Sequence, residues 1–289
     1  MVRGVGLEPT KAYATGTMFL DDFSKFLKVD LRLKEKTVYD HDRVIKKLLQ
    51  WIQKDPNQIT KKDIRNYLAK ISDKSISVYK NNLSALKRFF RDYMGKNDLV
   101  DTFKFPKHRI KIVTIPSKAE IKTFYSHLSR PIEKAVFLMY ATSGLRRTEL
   151  LDLKLSEIDF EKRMMMPNKK SNNTKNTWLS FYNLEVERVL KEYLKTRTNW
   201  CKSSKLFSIS FRTINKMFTR VKRESGVNVS PQVLRNWFCN EMGLLGVPDR
   251  YIDAFCGRVP RSILARHYTD YSPERLKRIY NKAGLKVLS

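Results

Sequence analysis

The segment ATSGLRRTELLDLKLSEIDF, residues 141–160, is the stretch of this chain best arranged for chemistry. Gly144 ends one apolar helix and Arg146 stands at the turn into the next, so its guanidinium leaves the helix face toward a cleft. Leu150, Leu151 and Leu153 anchor the helix that follows, and Glu149 is spaced to hold the guanidinium in place. An arginine at a helix start opposes the macrodipole and therefore needs a reason beyond solvation. Metal and nucleotide chemistry are poorly served. His41, His108, His127 and His267 are scattered, no acidic cluster has ligand spacing, and there is neither a Walker loop nor a dinucleotide fingerprint. Cys201, Cys239 and Cys256 are odd in number and fit no zinc spacing, which points to reduced thiols in a cytosol. Cys239 and Cys256, on apolar helices, read as small core residues.

Charge names the partner class. The chain has 289 residues, with 58 Lys+Arg against 29 Asp+Glu, a formal charge of +29. Bases exceed acids along the whole length rather than in one tail, which favours a phosphate backbone through counterion release. An anionic membrane surface is the weaker reading, because no strongly amphipathic anchor helix stands out. No apolar run approaches a membrane span and no secretory signal is recognisable, so the expectation is a soluble cytoplasmic protein without a membrane partner.

The elements that must position Arg146 follow from hydrophobic period. Residues 1–16 contain three glycines and a proline and no apolar period, and are expected to be a flexible N-terminal segment. From 17 to 102, four helical stripes in succession predict a compact helical domain. One is FLDDFSKFL, another carries Val38, Val44, Ile45 and Leu48, and Thr60 with Asp63 forms a capping box before a third. Residues 103–117 hold two prolines and several bases and read as a basic linker. The second domain, 118–289, opens on a Ser117–Glu120 capping box and continues mostly in helices. Short alternating stretches on either side of the polar Asn/Lys/Ser/Thr run 168–177 predict a β-hairpin. The fold class expected is mainly α with a small antiparallel β-sheet.

With these elements in place, Gly144-Leu145-Arg146 followed by Glu149-Leu150 resembles the first conserved box of the tyrosine recombinase (phage-type integrase) family. Leu234-Arg235-Asn236-Trp237-Phe238 is similar to the second box, Gly257-Arg258 stands where Gly-His is usual, and His267-Tyr268-Thr269-Asp270 resembles the region of the nucleophile. The resemblance covers roughly 117–289, and the N-terminal helices fit the family's core-binding domain. Two departures, Gln232 at the usual His or Lys position and Arg258 at the later His or Trp position, are similar to archaeal virus and plasmid integrases rather than the bacterial chromosome-resolving branch.

The resemblance implies a cofactor-free, metal-independent DNA recombinase. Arg146 and Arg235 would fork the non-bridging oxygens of the scissile phosphate, and Tyr268 would attack phosphorus to give a 3′-phosphotyrosine. The phenol must lose its proton during attack, and a lysine of the hairpin is expected to protonate the leaving 5′-oxygen. Lys175 is favoured for that role, with Lys169 and Lys170 as rivals, whereas Gln232 cannot serve as acid or base. Arg258 fits a phosphate contact or a structural role in its turn. Tyr271 and Tyr280 are rivals of Tyr268, but Tyr271 precedes a Ser272-Pro273 helix start and Tyr280 sits in a helical stripe. The expected partners are double-stranded DNA at attachment sites and further copies of the chain, a tetramer on paired sites, with the C-terminal residues 275–289 docking on a neighbour. The alternative class is a non-catalytic DNA-binding accessory protein.

Residues Gly6-Leu7-Glu8-Pro9 can be encoded by GGGCTCGAACCC, whose complement contains the TTCGA core of a tRNA T-arm. The archaeal integrases it resembles commonly recombine at tRNA genes, and some carry the attachment site inside their own reading frame; the alternative reading is an N-terminal tail whose codons match by accident.

Overall fold

The computed structural model describes residues 10–107, 113–167, 179–198, 201–258 and 262–289, with side chains from Phe19 onward. The chain divides into two units, Met1–Ile112 and Val113–Ser289.

The first unit is helical: α1 (Thr10–Val29), α2 (Glu35–Ile52), α3 (Lys61–Lys70) and α4 (Ile76–Leu86), the last continued by a π-helical stretch, Lys87–Tyr93. The apolar stripes meet as their spacing predicts, with Phe23, Leu27, Ile45, Leu48, Leu83 and Phe89 all fully buried. Phe23 and Phe89 cross edge to face at 5.0 Å. The capping box of α3 forms, the Asp63 carboxylate accepting from the Thr60 backbone N–H at 2.9 Å. One boundary differs from expectation. α1 starts at Thr10, so residues 10–16 belong to a helix and not to a flexible leader. A single interior glycine, Gly16, costs a helix only about 1 kcal/mol, and the alanines and Met18 around it are good helix formers.

The second unit carries α5 (Lys118–Ser126), α6 (Pro131–Ser143), α7 (Arg147–Asp152), β1 (Ile158–Asp159), β2 (Met164–Met165), β3 (Ser180–Phe181), α8 (Leu184–Lys195), α9 (Phe211–Ser225), α10 (Pro231–Leu244), α11 (Asp249–Phe255), α12 (Ile263–His267) and α13 (Pro273–Ala283). The strands form one antiparallel sheet in the order β1-β2-β3, with Ile158 opposite Met165 and Met164 opposite Phe181. Helix α6 is the axis of the unit. Apolar on every side, it has a proline in its first turn and buries every residue from Ala135 to Ser143, packing against α8 and α10. It ends on Gly144 in the left-handed conformation, φ 64°. A Cβ there would stand 2.6 Å from a Phe238 ring carbon and 2.9 Å from Cys256 Sγ, so only glycine admits this close approach.

Helix α12, absent from the sequence reading, has five residues, too few to show a period, and starts on a Ser262 cap that accepts from the Ala265 N–H. The C-terminal residues pack against their own unit. Tyr280 is buried with its hydroxyl donating to Thr142 O at 2.8 Å, and Leu285 and Val287 are buried. The Glu185 carboxylate accepts from the backbone N–H groups of Val287 (2.7 Å) and Leu288 (2.8 Å), so a partner for the tail is supplied within the chain.

Candidate active site

The end of α6 delivers Arg146 to the surface of the second unit. Glu149, buried on α7, accepts from the Arg146 backbone N–H at 2.7 Å and from its Nη1 at 2.9 Å, so one carboxylate caps the helix and aims the guanidinium. Arg146 Nη2 donates to Gly257 O at 3.1 Å. Arg235, in the middle of α10, is 5 % exposed. Its Nη1 donates to Gly144 O and its Nη2 to Cys256 O, the latter at 2.7 Å. Backbone carbonyls thus fix the planar fork without neutralising it. Burial, followed by the like charges of Arg146 and Arg258, pulls the Arg235 pKa down, as a site built to receive an anion should.

Both arginines line one pocket of about 710 Å³, together with Arg147, Lys222, Asn215 and Gln232, and no Asp or Glu is among its lining residues. Arg147 is held flat, its guanidinium 3.5 Å from the Phe211 ring centroid. Gln232, exposed one turn before Arg235, donates to Asn236 Oδ1 at 3.0 Å.

The remaining candidates stand differently. Arg258 is exposed and outside that lining. It pairs with Asp253 at 3.2 Å and points Nη2 at Cys239 Sγ, 3.6 Å away. Tyr268 follows α12 directly, 75 % exposed, its backbone N–H donating to Leu264 O. Helix α12 has no buried residue among those described. Tyr271 is engaged, its hydroxyl donating to Ala265 O at 2.6 Å, and Tyr280 is buried. Lys169, Lys170 and Lys175 lie outside the described residues. Among the described residues no group of three His, Cys, Asp or Glu could hold a metal ion, and no helix is long and apolar enough to cross a membrane.

Sequence reading passed over Arg147, Asn215 and Lys222. The signal was present in α9, FRTINKMFTRVKRES, where Asn215, Phe218, Thr219 and Lys222 recur at helical spacing and share the pocket wall.

A helical N-terminal unit followed by a helical domain with a small antiparallel sheet is the integrase fold. The model of the Phage integrase family matches residues 117–275 and that of the phage integrase N-terminal SAM-like domain residues 19–97, so the chain belongs to the phage integrase family. Tyrosine recombinase XerA of Pyrococcus furiosus is 27 % identical over 282 residues, 92 % of this chain and 94 % of that protein. Tyrosine recombinase XerC of Staphylococcus epidermidis is 25 % identical over 289 residues, 91 % of this chain and 96 % of that protein. The archaeal relatives agree with the archaeal flavour of the motifs. Among solved structures, a lambda integrase (75–356) dimer bound to a COC′ core site superposes with a TM-score of 0.67 at 16 % identity, covering 85 % of this chain and 95 % of that one. The Tn1549 transposon integrase in complex with transposon right end DNA gives 0.64 at 14 % identity, covering 90 % and 97 %. These likenesses establish the fold.

Proposed function

We propose that the protein is a site-specific DNA recombinase that cuts and rejoins duplex DNA through a 3′-phosphotyrosine, integrating and excising a mobile element. The observation that carries this reading is the pocket shared by Arg146 and the buried Arg235. Two forks fixed by Glu149 and by backbone carbonyls can stabilise the extra negative charge of a pentacovalent phosphorus without a metal. Tyr268 is the nucleophile, a hairpin lysine (Lys175, or else Lys169 or Lys170) is the general acid, and Arg258 and Gln232 complete the surround. Four protomers act on paired duplex sites in the cytoplasm.

The test is covalent trapping. Incubated with a nicked duplex carrying its site, the protein yields a DNA-linked species that survives denaturing electrophoresis, in buffer containing a chelator. The coding DNA for residues 3–13 is the first candidate site, since its codons can spell a T-arm core. A duplex of that sequence left uncut, with cutting elsewhere, removes only the tRNA-gene part of the reading. Tight binding to the site with no adduct on any nicked duplex sides with the accessory protein instead. A 5′-bridging phosphorothiolate, whose leaving group needs no proton, restores cutting to the variant lacking the acid. Rescue of Lys169→Ala or Lys170→Ala rather than Lys175→Ala reassigns that role.

The pocket wall formed by the start of α7 and by α9 supports a second expectation. Arg147 and Lys222 contact a phosphate beside the scissile one, so Arg147→Ala and Lys222→Ala each weaken duplex binding alike on all sequences. Each lowers the slope of log K against log salt by about 0.9. An unchanged slope in both variants removes these residues from the DNA contact.

A further inference from the structure

Cys239 lies in α10, one turn after Arg235, and Cys256 is the residue that ends α11. Their sulfurs stand 3.4 Å apart, both as free thiols. Cys256 is fully buried, wedged against Gly144, while Cys239 is half-buried and faces Arg258 Nη2 at 3.6 Å. The hydrogen bond from Cys256, and then the charges of Arg258 and Arg235, hold the Cys239 thiol below the usual range in spite of burial. The same bond, together with burial, pushes Cys256 up. One thiol is therefore ready to act as a nucleophile and the other to resolve.

The place of this pair in the fold gives it a consequence. Cys256 O accepts from Arg235, Gly257 O accepts from Arg146, and Arg258 is the next residue. Two of three consecutive residues thus hold Arg235 and Arg146, the third is Arg258 itself, and Cys256 is the first of them. We infer that Cys239 and Cys256 form a reversible oxidation site, closed to a disulfide by hydrogen peroxide, that switches off the neighbouring arginine cluster. The Cys239 thiolate attacks one peroxide oxygen, giving a sulfenic acid and releasing hydroxide. The Cys256 thiol then attacks the Cys239 sulfur, forming the S–S bond and expelling the hydroxyl, which leaves with the thiol proton as water. Both sulfurs are oxidised and the peroxide is reduced. A disulfide requires the sulfurs at about 2.05 Å, so they must close by more than an ångström. Gly144 has no side chain to yield, and the movement falls on the Cys256–Arg258 segment that holds Arg235 and Arg146. The thiolate facing Arg258 disappears at the same time.

This inference rests on the recombinase reading for its activity readout only. The test uses the full chain carrying Cys201→Ser, so that the exposed third thiol cannot react. After peroxide, peptide mapping finds Cys239 linked to Cys256, lighter by two hydrogens. Cutting of the nicked duplex then falls about a hundredfold, the scale of an ångström of misplacement, and dithiothreitol restores it. Duplex binding, borne by many phosphate contacts, changes less than about threefold. Cys239→Ser and Cys256→Ser, each compared with itself before and after peroxide, show no oxidation-dependent loss of cutting. The inference is overturned if no linked peptide forms, if it forms without loss of cutting, or if both serine variants lose cutting to peroxide as the parent does. A reduced protein that cuts no duplex defeats the recombinase reading, and the linked peptide with its reversal by dithiothreitol still decides the oxidation site.

Discussion

Tyr268→Phe abolishes the DNA-linked species while leaving duplex binding within about twofold, because the change removes one oxygen and no charge. The phenol is the only group in this reading that makes a bond to phosphorus, so no residual adduct survives its loss. The side chain is 75 % exposed at the end of a helix without a buried residue, and its removal disturbs no packing. Thermal stability therefore stays at the parent value, and that measurement separates lost chemistry from lost fold. Tyr271→Phe is the decisive companion. It breaks the hydrogen bond to Ala265 O that ties α12 to the segment after it, and it slows cutting without abolishing the adduct. An adduct that persists in Tyr268→Phe and vanishes in Tyr271→Phe moves the nucleophile to Tyr271.

The contrast between these tyrosines shows how much of the site could be read from sequence. Tyr271 before Ser272-Pro273 reads as a packing residue at a helix start, and the structure engages its hydroxyl. Arg146 at a helix start with Glu149 three residues on is equally local, and the bond between them forms at 2.9 Å. The carbonyl anchors of Arg235 were not legible. Gly144 and Cys256 are 91 and 21 residues away from it in sequence, and no period or spacing encodes such a contact. The pairing of Cys239 with Cys256 was hidden for the same reason. Each taken alone reads as a small apolar residue on its helix, and it takes the packing of α10 on α11, with Phe238 against Phe255, to bring the two sulfurs together. The helix start at Thr10 was not legible because residues 10–16 carry no apolar period, whereas the one glycine among them costs less than the rest of a long helix returns.

Arg235→Lys tests the carbonyl anchors, with an expected loss in cutting rate of about 10²- to 10³-fold, the scale of removing one preorganised donor from a transition-state site. The substitution keeps the charge and changes its geometry. A guanidinium carries five N–H donors in a rigid plane, so it can give two bonds to Gly144 O and Cys256 O and still face the pocket. An ammonium on a flexible stem concentrates its donors at one point and must choose between a carbonyl and the phosphate. It also loses more free energy than a guanidinium when dehydrated, and the Arg235 site is almost closed to water. The rate falls while duplex affinity changes by less than about threefold, because binding is shared among many phosphate contacts and transition-state charge is not. Arg146→Lys is the milder change. Its side chain is 31 % exposed, and a lysine can still pair with Glu149. Its loss is therefore smaller than that of Arg235→Lys, by about tenfold. Single-turnover cutting of the nicked duplex, set beside affinity measured at the same salt, gives both numbers. Equal losses of rate and affinity in Arg235→Lys would assign this arginine to ordinary phosphate positioning. A melting temperature well below that of the parent would instead trace the loss to the Gly144 and Cys256 carbonyls left without their donor.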